Sequence, residues 1–540
     1  MASNLSILTI IFILYFSSSS SSMANLLPPI FNTPETLCTS TPNPLFCKSF
    51  LPYNKPGTIH DYAKISISLS LTNSINFLSL VQSSLTLIPS SSYQSAVYAL
   101  EDCQFLAQLN IDSLSYALDT INSSNDNNLQ LKLSTDLLTF LSATLTNQET
   151  CLEGLKSTST APENVLNGLL GHLLDGKNYF STSLALFNQG WIPKLLQGKL
   201  PTEGLVRSLP FGRKLLQEFT NGVFVRTTVV VNPYGGGDFN TISDAVAAAP
   251  NNTVISDGYY VIYVVAGVYN EYVVIDKKKK FLMMIGDGIN QTIITGNKNF
   301  VDGWTTFNSA TFVAVGQGFV AVNITIQNTS GPEKHQAVAL RNGADLSAFY
   351  KCSFEGYQDT LYTHSLRQFY RDCEIYGTID FIFGNAAVVL QNCIIISRLP
   401  MSNQFNTITA QGRIDPNQNT GTSIQNCTII AAQDLASSNI KTYLGRPWKE
   451  YSRTVVMQSF IDGLIDPTGW APWSGDFALA TLYYAEFDNY GPGSDVSMRV
   501  DWPGYDRSIT AAGAVNYTVW EFIQGDGWLP ATGVPYFGSL

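Results

Sequence analysis

The sequence predicts an all-α four-helix bundle followed by an all-β, right-handed parallel β-helix. A chain of 540 residues exceeds one ordinary hydrophobic core, so we expect two domains. Residues 31–190 contain few glycines, and their leucines recur at spacings of three and four, as in amphipathic helices that pack as a bundle. Within residues 223–540 the apolar runs are short and lack intervening helices, which favours a solenoid of stacked coils.

An apolar run near the start of the chain indicates export. Leu5–Phe16 is twelve residues long and precedes a serine tract at residues 17–22. This length suits the centre of a signal peptide and is too short to span a bilayer comfortably. We therefore predict a signal peptide over residues 1–24, a secreted protein and no stable membrane insertion. Sequons for N-glycosylation agree with export and occur at Asn122, Asn251, Asn290, Asn328 and Asn516.

The overall composition is typical of a folded protein that does not bind nucleic acid. Hydrophobic residues make up 45% of the chain and charged residues 13%. The formal net charge is −11, whereas binding to a phosphate backbone needs a basic face. We interpret the four-lysine run at residues 277–280 as a solvated strand edge or turn.

The cysteines of the helical region predict two disulfides. Cys38 and Cys47 lie nine residues apart beside prolines, which suits a clip in an irregular leader. Cys103 and Cys151 each lie within a helical stripe, so a bond between them would join two helices. An oxidising destination favours these pairs over buried free thiols. No Cys-x-x-Cys spacing occurs, and we predict neither a metal site nor a cofactor.

A basic segment rich in glycine and proline separates the two regions, and we predict a linker over residues 191–222. Within it, Arg213–Leu216 begins with two basic residues. We predict that a processing protease cleaves there, with a plain exposed tether as the alternative.

Two aspartates recur at the same place in a repeat. Cys352 is followed seven residues later by Asp359, and Cys373 seven residues later by Asp380. A period of about twenty residues places equivalent positions on neighbouring coils, roughly 4.8 Å apart. Two carboxylates so close do not both ionise freely, so one should hold a proton while the other stays charged. Capping of turns is the alternative role, but two aspartates in register beside aromatic residues favour catalysis.

The cysteines of the β-region form a column at the same period. Two later Asn-Cys pairs, ending at Cys393 and Cys427, continue the column that begins at Cys352. We predict a disulfide between Cys373 and Cys393, because twenty residues make one uninterrupted coil. A bond between Cys352 and Cys373 remains the alternative.

Five ordered segments resemble the signature blocks of plant pectin methylesterases. The N-terminal region also resembles the pectin methylesterase inhibitor domain that many of these enzymes carry as a pro-region, including its two cysteine pairs. The resemblance covers nearly the whole chain. The five segments are Gly267–Glu271, Gln336–Leu340, Gln358–Leu361, Asp380–Gly384 and Leu444–Trp448.

The resemblance implies catalytic roles for specific residues. Asp380 matches the nucleophile, and Asp359 matches the general acid and then base. Gln358 and Gln336 match the donors that stabilise the oxyanion. Carboxylate, carboxylic acid and uncharged amides are the groups that ester hydrolysis on an anionic polymer requires.

The resemblance also implies contacts with the substrate. Arg446 matches the partner of the nucleophile, Trp448 a ring that positions the sugar, and Thr306 a further contact, with Gln336 counted among the binding residues. Four other aromatic residues are expected either to line a groove for sugars or to fill the core, namely Tyr362, Phe383, Trp470 and Trp473.

The sequence therefore predicts a monomeric cell-wall hydrolase that removes methyl esters from pectin, with the N-terminal domain as an intramolecular inhibitor. A β-helix glycosidase acting on pectin is the alternative, because carboxyls about 5 Å apart also suit retaining hydrolysis. The paired amide donors favour hydrolysis of an ester over hydrolysis of a glycosidic bond. A serine hydrolase would need a Gly-x-Ser-x-Gly elbow, which is absent, and a histidine such as His335 or His364. A purely binding or inhibitory role is considered for the bundle alone.

Overall fold

The computed structural model describes residues 33–52, 57–89, 93–124, 129–157, 163–192 and 222–540. The predicted signal peptide, nearly all of the predicted linker and the predicted processing sequence Arg213–Leu216 lie outside these ranges. Among the helices that are described, none has both the length and the apolar character needed to cross a membrane.

The N-terminal domain is a bundle of four long helices, as predicted. Each long helix packs against two others, in the cyclic order α3, α4, α5, α6. The first long helix begins at Thr58, whose side chain accepts a hydrogen bond from the Asp61 amide while the Asp61 carboxylate accepts one from the Thr58 amide. The helices are α1 (Pro34–Leu37), α2 (Pro44–Phe50), α3 (Ile59–Leu87), α4 (Gln94–Ser123), α5 (Leu131–Ser157) and α6 (Glu163–Trp191).

Both predicted disulfides of this domain are present. Cys38–Cys47 joins the leader on either side of a proline-containing turn. Cys103–Cys151 joins α4 to α5 across 48 residues, a closure worth about 4 kcal/mol if it acts through the entropy of the unfolded chain.

The C-terminal domain is a parallel β-helix in which short strands repeat in sets of three. Its described strands are β1 (Val225–Val231), β2 (Tyr259–Val264), β3 (Gly267–Asn270), β4 (Val273–Ile275), β5 (Leu282–Gly286), β6 (Thr292–Gly296), β7 (Phe312–Ala314), β8 (Val320–Val322), β9 (Thr325–Asn328), β10 (Leu340–Asn342), β11 (Ser347–Tyr350), β12 (Ser353–Glu355), β13 (Leu361–Thr363), β14 (Arg367–Arg371), β15 (Glu374–Gly377), β16 (Ile379–Gly384), β17 (Ala387–Gln391), β18 (Ile394–Ser397), β19 (Asn406–Gln411), β20 (Gly421–Gln425), β21 (Thr428–Ala431), β22 (Thr442–Gly445), β23 (Arg453–Met457), β24 (Phe460–Ile461), β25 (Tyr483–Phe487) and β26 (Tyr505–Asp506).

These strands form three sheets in which every pairing is parallel. The eleven-stranded sheet has the order β1-β2-β5-β8-β11-β14-β17-β20-β23-β25-β26, and the eight-stranded sheet has the order β24-β21-β18-β15-β12-β9-β6-β3. The seven-stranded sheet has the order β22-β19-β16-β13-β10-β7-β4. Because successive coils add one strand to each sheet, residues about one coil apart in sequence become neighbours in space.

Short helices flank the coils. The first, α7 (Ile242–Ala248), packs on β1, β2 and β4 at the N-terminal end of the solenoid. Its cap is Thr241, whose side chain accepts a hydrogen bond from the Asp244 amide. The others are α8 (Gln433–Ala436), α9 (Ala511–Ala514) and α10 (Val519–Ile523).

The predicted disulfide between Cys373 and Cys393 is wrong, and so is its alternative. Cys352, Cys373, Cys393 and Cys427 are all buried free thiols that stack inside the coil. Equivalent side chains on parallel strands project side by side about 4.8 Å apart, whereas a disulfide needs the two Cβ atoms to approach to about 3.8 Å. The thiols instead lie against backbone carbonyls, for example Cys373 Sγ at 3.4 Å from the oxygen of Phe349.

The bundle packs against the β-helix through α4 and α5. Apolar side chains of both domains form one cluster, which includes Leu106 and Leu152 from the bundle and Val338 and Phe383 from the β-helix. Side-chain amides of the β-helix also donate to α5. These hydrogen bonds run from Asn385 to the hydroxyl of Thr146 (2.9 Å), from Gln418 to the carbonyl of Ser142 (2.8 Å) and from Asn419 to the hydroxyl of Thr139 (2.9 Å).

Candidate active site

Asp380 lies in β16 where the register of the sheet slips. Ile379 pairs with Thr407, but Ile382 pairs with Thr409, so three steps along β16 match two steps along β19. Such a bulge re-aims a side chain and is common beside active sites. Asp380 adopts a φ of 52°, a left-handed conformation that costs roughly 1–3 kcal/mol and persists only where the surrounding structure holds it.

Two neighbours hold the Asp380 carboxylate. Arg446 donates from Nε to Oδ1 at 2.8 Å and from Nη2 to Oδ2 at 2.7 Å, which is a two-pronged ion pair. The hydroxyl of Thr407 donates to Oδ1 at 2.6 Å. Both interactions place donors on the carboxylate and restrict its orientation.

Asp359 lies on the preceding coil at the equivalent position. Leu361 pairs with Ile382 across β13 and β16, so the same offset of twenty-one residues relates Asp359 to Asp380. The backbone amide of Asp359 donates to the carbonyl of Ile379 at 3.1 Å. Burial raises the pKa of the Asp359 carboxyl well above its ordinary value, the charge of Asp380 raises it further, and Arg446 opposes the shift. The Asp359 carboxyl therefore holds its proton more strongly than an ordinary aspartic acid does.

Gln336 and Gln358 lie on adjacent coils of the same surface. The Ala337 amide donates to the carbonyl of Gln358 at 3.2 Å, and the Phe300 amide donates to that of Gln336 at 2.9 Å. These backbone bonds fix both residues, while neither side-chain amide has a hydrogen-bond partner among the described residues. Their N–H groups are therefore available to a ligand.

All seven predicted site residues line one cavity of about 340 Å³, which we call the catalytic cavity. Tyr362 and Phe383 stack at 4.1 Å on its wall, Trp448 meets Phe383 edge-on at 5.9 Å, and Trp473 lies 4.4 Å from the guanidinium of Arg446. Trp470 does not line the cavity, because it is 1% exposed and stacks on Tyr484 in the core. Of the two roles expected for the aromatic residues, it therefore has that of filling the core.

The bundle forms part of the wall of the catalytic cavity. Asp102 of α4 and four residues of α5, namely Thr150, Glu153, Gly154 and Ser157, line it together with the β-helix, and we call these five residues the covering surface. Asp102 accepts hydrogen bonds of 2.5 Å from the hydroxyl of Thr305 and the amide of Asn308. Burial raises the pKa of Asp102 to about 7.

His364 does not act on the two aspartates. It is 2% exposed, and its two ring nitrogens lie at hydrogen-bond distance from the hydroxyls of Thr150 and Ser365. Burial, reinforced by the charge of Arg341, lowers the pKa of His364 to about 3, so the ring is neutral. Within the described ranges no group of acidic, histidine and cysteine side chains has the arrangement of a metal site.

Two kinds of residue at the site were not identified from the sequence. Thr407 looks like any β-branched residue of an apolar strand, and only the bulge at Asp380 brings its hydroxyl to the carboxylate. Asp102 and Glu153 lie more than two hundred residues before Asp359 on another domain, so no local pattern connects them with the cavity.

Comparisons with known proteins match both domains. Residues 228–526 match the family model described as Pectinesterase, and residues 32–186 match that of Plant invertase/pectin methylesterase inhibitor. A protein of Arabidopsis thaliana named probable pectinesterase/pectinesterase inhibitor 20 is 53% identical, with 95% of each chain covered, and pectinesterase 2 of Citrus sinensis is 47% identical over 93% of this chain and 94% of its own. A solved pectin methylesterase from carrot is 57% identical with a TM-score of 0.57, covering 58% of this chain and 98% of its own. The chain therefore belongs to the pectinesterase family and carries an N-terminal domain of the pectin methylesterase inhibitor type.

Proposed function

We propose that this protein is a secreted, monomeric cell-wall enzyme that hydrolyses the methyl esters of pectin to free uronic acids and methanol. The observation that carries the proposal is that two neighbouring carboxyls differ in their bonding partners and in their burial. The Asp380 carboxylate is paired with Arg446 and accepts a hydrogen bond from Thr407, whereas Asp359 is buried and has a raised pKa. A charged nucleophile beside a protonated acid is what ester hydrolysis through an acyl-enzyme requires.

In the first half of the reaction, a carboxylate oxygen of Asp380 attacks the carbonyl carbon of the ester. The amides of Gln336 and Gln358 donate to the oxyanion that forms. The bond to the methoxy oxygen then breaks, and Asp359 transfers its proton to that oxygen, which leaves as methanol. An acyl group on Asp380 and an ionised Asp359 remain.

In the second half, water attacks the acyl carbon while Asp359 accepts its proton. The bond to Asp380 breaks, which restores the Asp380 carboxylate and releases the uronic acid, and the acid ionises in water. Trp448 and Thr306 would position the sugar. The scheme uses no metal or cofactor.

The covering surface supports an inhibitory role for the bundle. Thr150 and Glu153 line the catalytic cavity together with the two aspartates, so the docked bundle would obstruct a polymer that binds there. The bundle would therefore have to leave before pectin binds, and cleavage of the linker at Arg213–Leu216 would permit this. Activity should rise when the full chain is cut within residues 193–221 and the bundle is removed, and equal activity before and after would disprove the inhibitory role.

Methanol release from methylated pectin by the cut protein tests the enzymatic role. Asp380→Asn should lower kcat by about 10⁴-fold or more, because an amide is a poor nucleophile. Asp372→Asn is the matched control, since Asp372 also has a positive φ but bonds to Arg371 and Asn392 away from the cavity. Polymer viscosity should stay constant, and shortening of the chain would favour the glycosidase instead.

A further inference from the structure

Lys449 of the β-helix forms ion pairs with the bundle. Its ammonium lies 2.8 Å from Glu149 Oε1 and also contacts Glu153 Oε1, and these two carboxylates are one turn apart on α5. Across the described residues, no acidic side chain of the β-helix pairs with Lys449. The side chain is only 15% exposed, so a partner is needed to offset its desolvation.

The position of Lys449 places it beside the catalytic cavity. It follows Trp448, and its ammonium lies 5.3 Å from the centre of that ring. A narrow crevice lined by Lys449 shares Thr150, Glu153, Tyr362 and Trp448 with the catalytic cavity. Trp448 therefore adjoins both the cation and the cavity that contains the two aspartates.

Removal of the bundle would leave this cation without a partner at the edge of the site. The substrate of the proposed function offers a replacement, because each uronic acid that has lost its methyl ester carries a carboxylate. A lysine ammonium binds such a carboxylate as a point charge and gains little from a neutral methyl ester.

We infer that Lys449 binds the carboxylate of an unesterified uronic acid next to the sugar under attack, and that Glu149 and Glu153 occupy this subsite when the bundle is docked. The inference rests on the proposed function. It makes Lys449 a specificity-determining residue, which favours chains that already contain free acids over fully methylated chains. It also explains why a helix that covers a site for an acidic polymer presents two carboxylates to it.

The test compares two polymers of equal length, one fully methylated and one about half de-esterified by base. The full-length protein is cut within residues 193–221 and the bundle is removed, a form that corresponds to the carrot structure, which this chain matches over 98% of that protein's length. Lys449→Met should raise KM for the half-esterified polymer about tenfold more than KM for the methylated one. The conservative Lys449→Arg should retain most of the wild-type ratio of the two KM values.

Lys277→Met is the matched control. Lys277 also pairs with the bundle, through Asp112, but it lies outside both the catalytic cavity and the crevice of Lys449. Its substitution should leave the ratio of the two KM values unchanged. In the wild-type protein, added salt should weaken binding of the half-esterified polymer and leave the methylated one little affected, because charge pairing is screened.

Three outcomes separate the alternatives. A wild-type protein that releases no methanol from either polymer refutes the proposed function itself. An active wild type with an unchanged KM ratio in Lys449→Met, or with KM raised equally for both polymers, overturns the carboxylate subsite. If Lys449→Met does not fold, an equal response of both polymers to salt in the wild type overturns it.

Discussion

Three polar side chains on the β-helix side of the catalytic cavity and two on the bundle side differ in whether they are hydrogen-bonded within the protein. On the β-helix side, the amides of Gln336 and Gln358 and the carboxyl of Asp359 have no side-chain hydrogen bond to any described residue. On the bundle side, Asp102 accepts two hydrogen bonds and Glu153 pairs with a lysine of the β-helix. The unbonded groups of the β-helix side are available to form hydrogen bonds with a substrate. The bonded groups of the bundle side instead hold the two domains together.

This contrast has an energetic meaning. Gln336 and Gln358 are half-buried and their side-chain amides bond to no described residue, so replacement by an apolar side chain removes no hydrogen bond from the described fold. Removal of a satisfied group leaves its partner unsatisfied and should destabilise the contact. Substitutions on the two sides should therefore separate activity from stability.

The largest separation is expected on the β-helix side. Gln336→Leu or Gln358→Leu should each lower kcat by about 10²–10³-fold, because the oxyanion loses a donor. The midpoint of thermal unfolding should not fall, since neither amide bonds to any residue that the structure describes. Steady-state methanol release and thermal unfolding of the same samples measure both quantities.

A third glutamine provides the control. Gln368 is fully buried, and its amide donates to the carbonyls of Asn342 at 2.7 Å and Ser365 at 2.9 Å. Gln368→Leu should therefore lower the unfolding temperature. If the variants at Gln336 and Gln358 unfold as readily as this one while keeping their kcat, the two amides are structural and the contrast between the surfaces fails.

A smaller effect on kcat is expected for Thr407, whose hydroxyl is hydrogen-bonded to the proposed nucleophile, Asp380. Thr407→Val keeps the shape of the side chain but removes both the 2.6 Å hydrogen bond to the Asp380 carboxylate and the acceptor of the Asp380 amide at 3.0 Å. We expect kcat to fall roughly thirtyfold with little change in KM. Thr409→Val is the control, because the Thr409 hydroxyl donates to the carbonyl of Leu444 instead. Equal kcat values for the two variants would show that the bond to Asp380 does not matter.

These residues also show which features the sequence was able to predict. The pairing of Asp359 with Asp380 follows from the repeat alone, since stacked coils bring equivalent positions together. The same repeat misled the disulfide prediction, because it places Cys373 and Cys393 on adjacent coils without turning their side chains toward each other.

Other features depend on tertiary detail that no local pattern encodes. The bulge that turns Asp380 toward Thr407 arises from a register slip between β16 and β19. The side of the bundle that faces the cavity is set by how α4 and α5 dock, so the contribution of Asp102 was not foreseeable. Sequence therefore predicted the side chains of the β-helix that line the cavity and missed those of the bundle that line it with them.

The smallest predicted effect concerns pH and the bundle side. The pKa of Asp102 is raised to about 7 by burial, from an ordinary value of 3.8, although its hydrogen bond from Thr305 opposes the shift. Both hydrogen-bond partners belong to the β-helix, so undocking should return the carboxyl to water. The docked state then binds the proton more tightly, and docking should strengthen as pH falls from 7 toward 4 and weaken as pH rises through 7.

We expect the dissociation constant of the separated bundle to rise about threefold per pH unit across this window, below the tenfold limit for one proton. Inhibition of methanol release by added bundle measures it, with the bundle-free enzyme assayed at each pH to remove the pH dependence of catalysis. Asp102→Asn should flatten the dependence, whereas Glu101→Gln, an exposed neighbour on α4, should preserve it. Two results would contradict this prediction: docking that tightens as pH rises, or an unchanged pH dependence in Asp102→Asn. Either result would mean that protonation of Asp102 does not control docking, and that the hydrogen bonds to its carboxylate outweigh the cost of burying it.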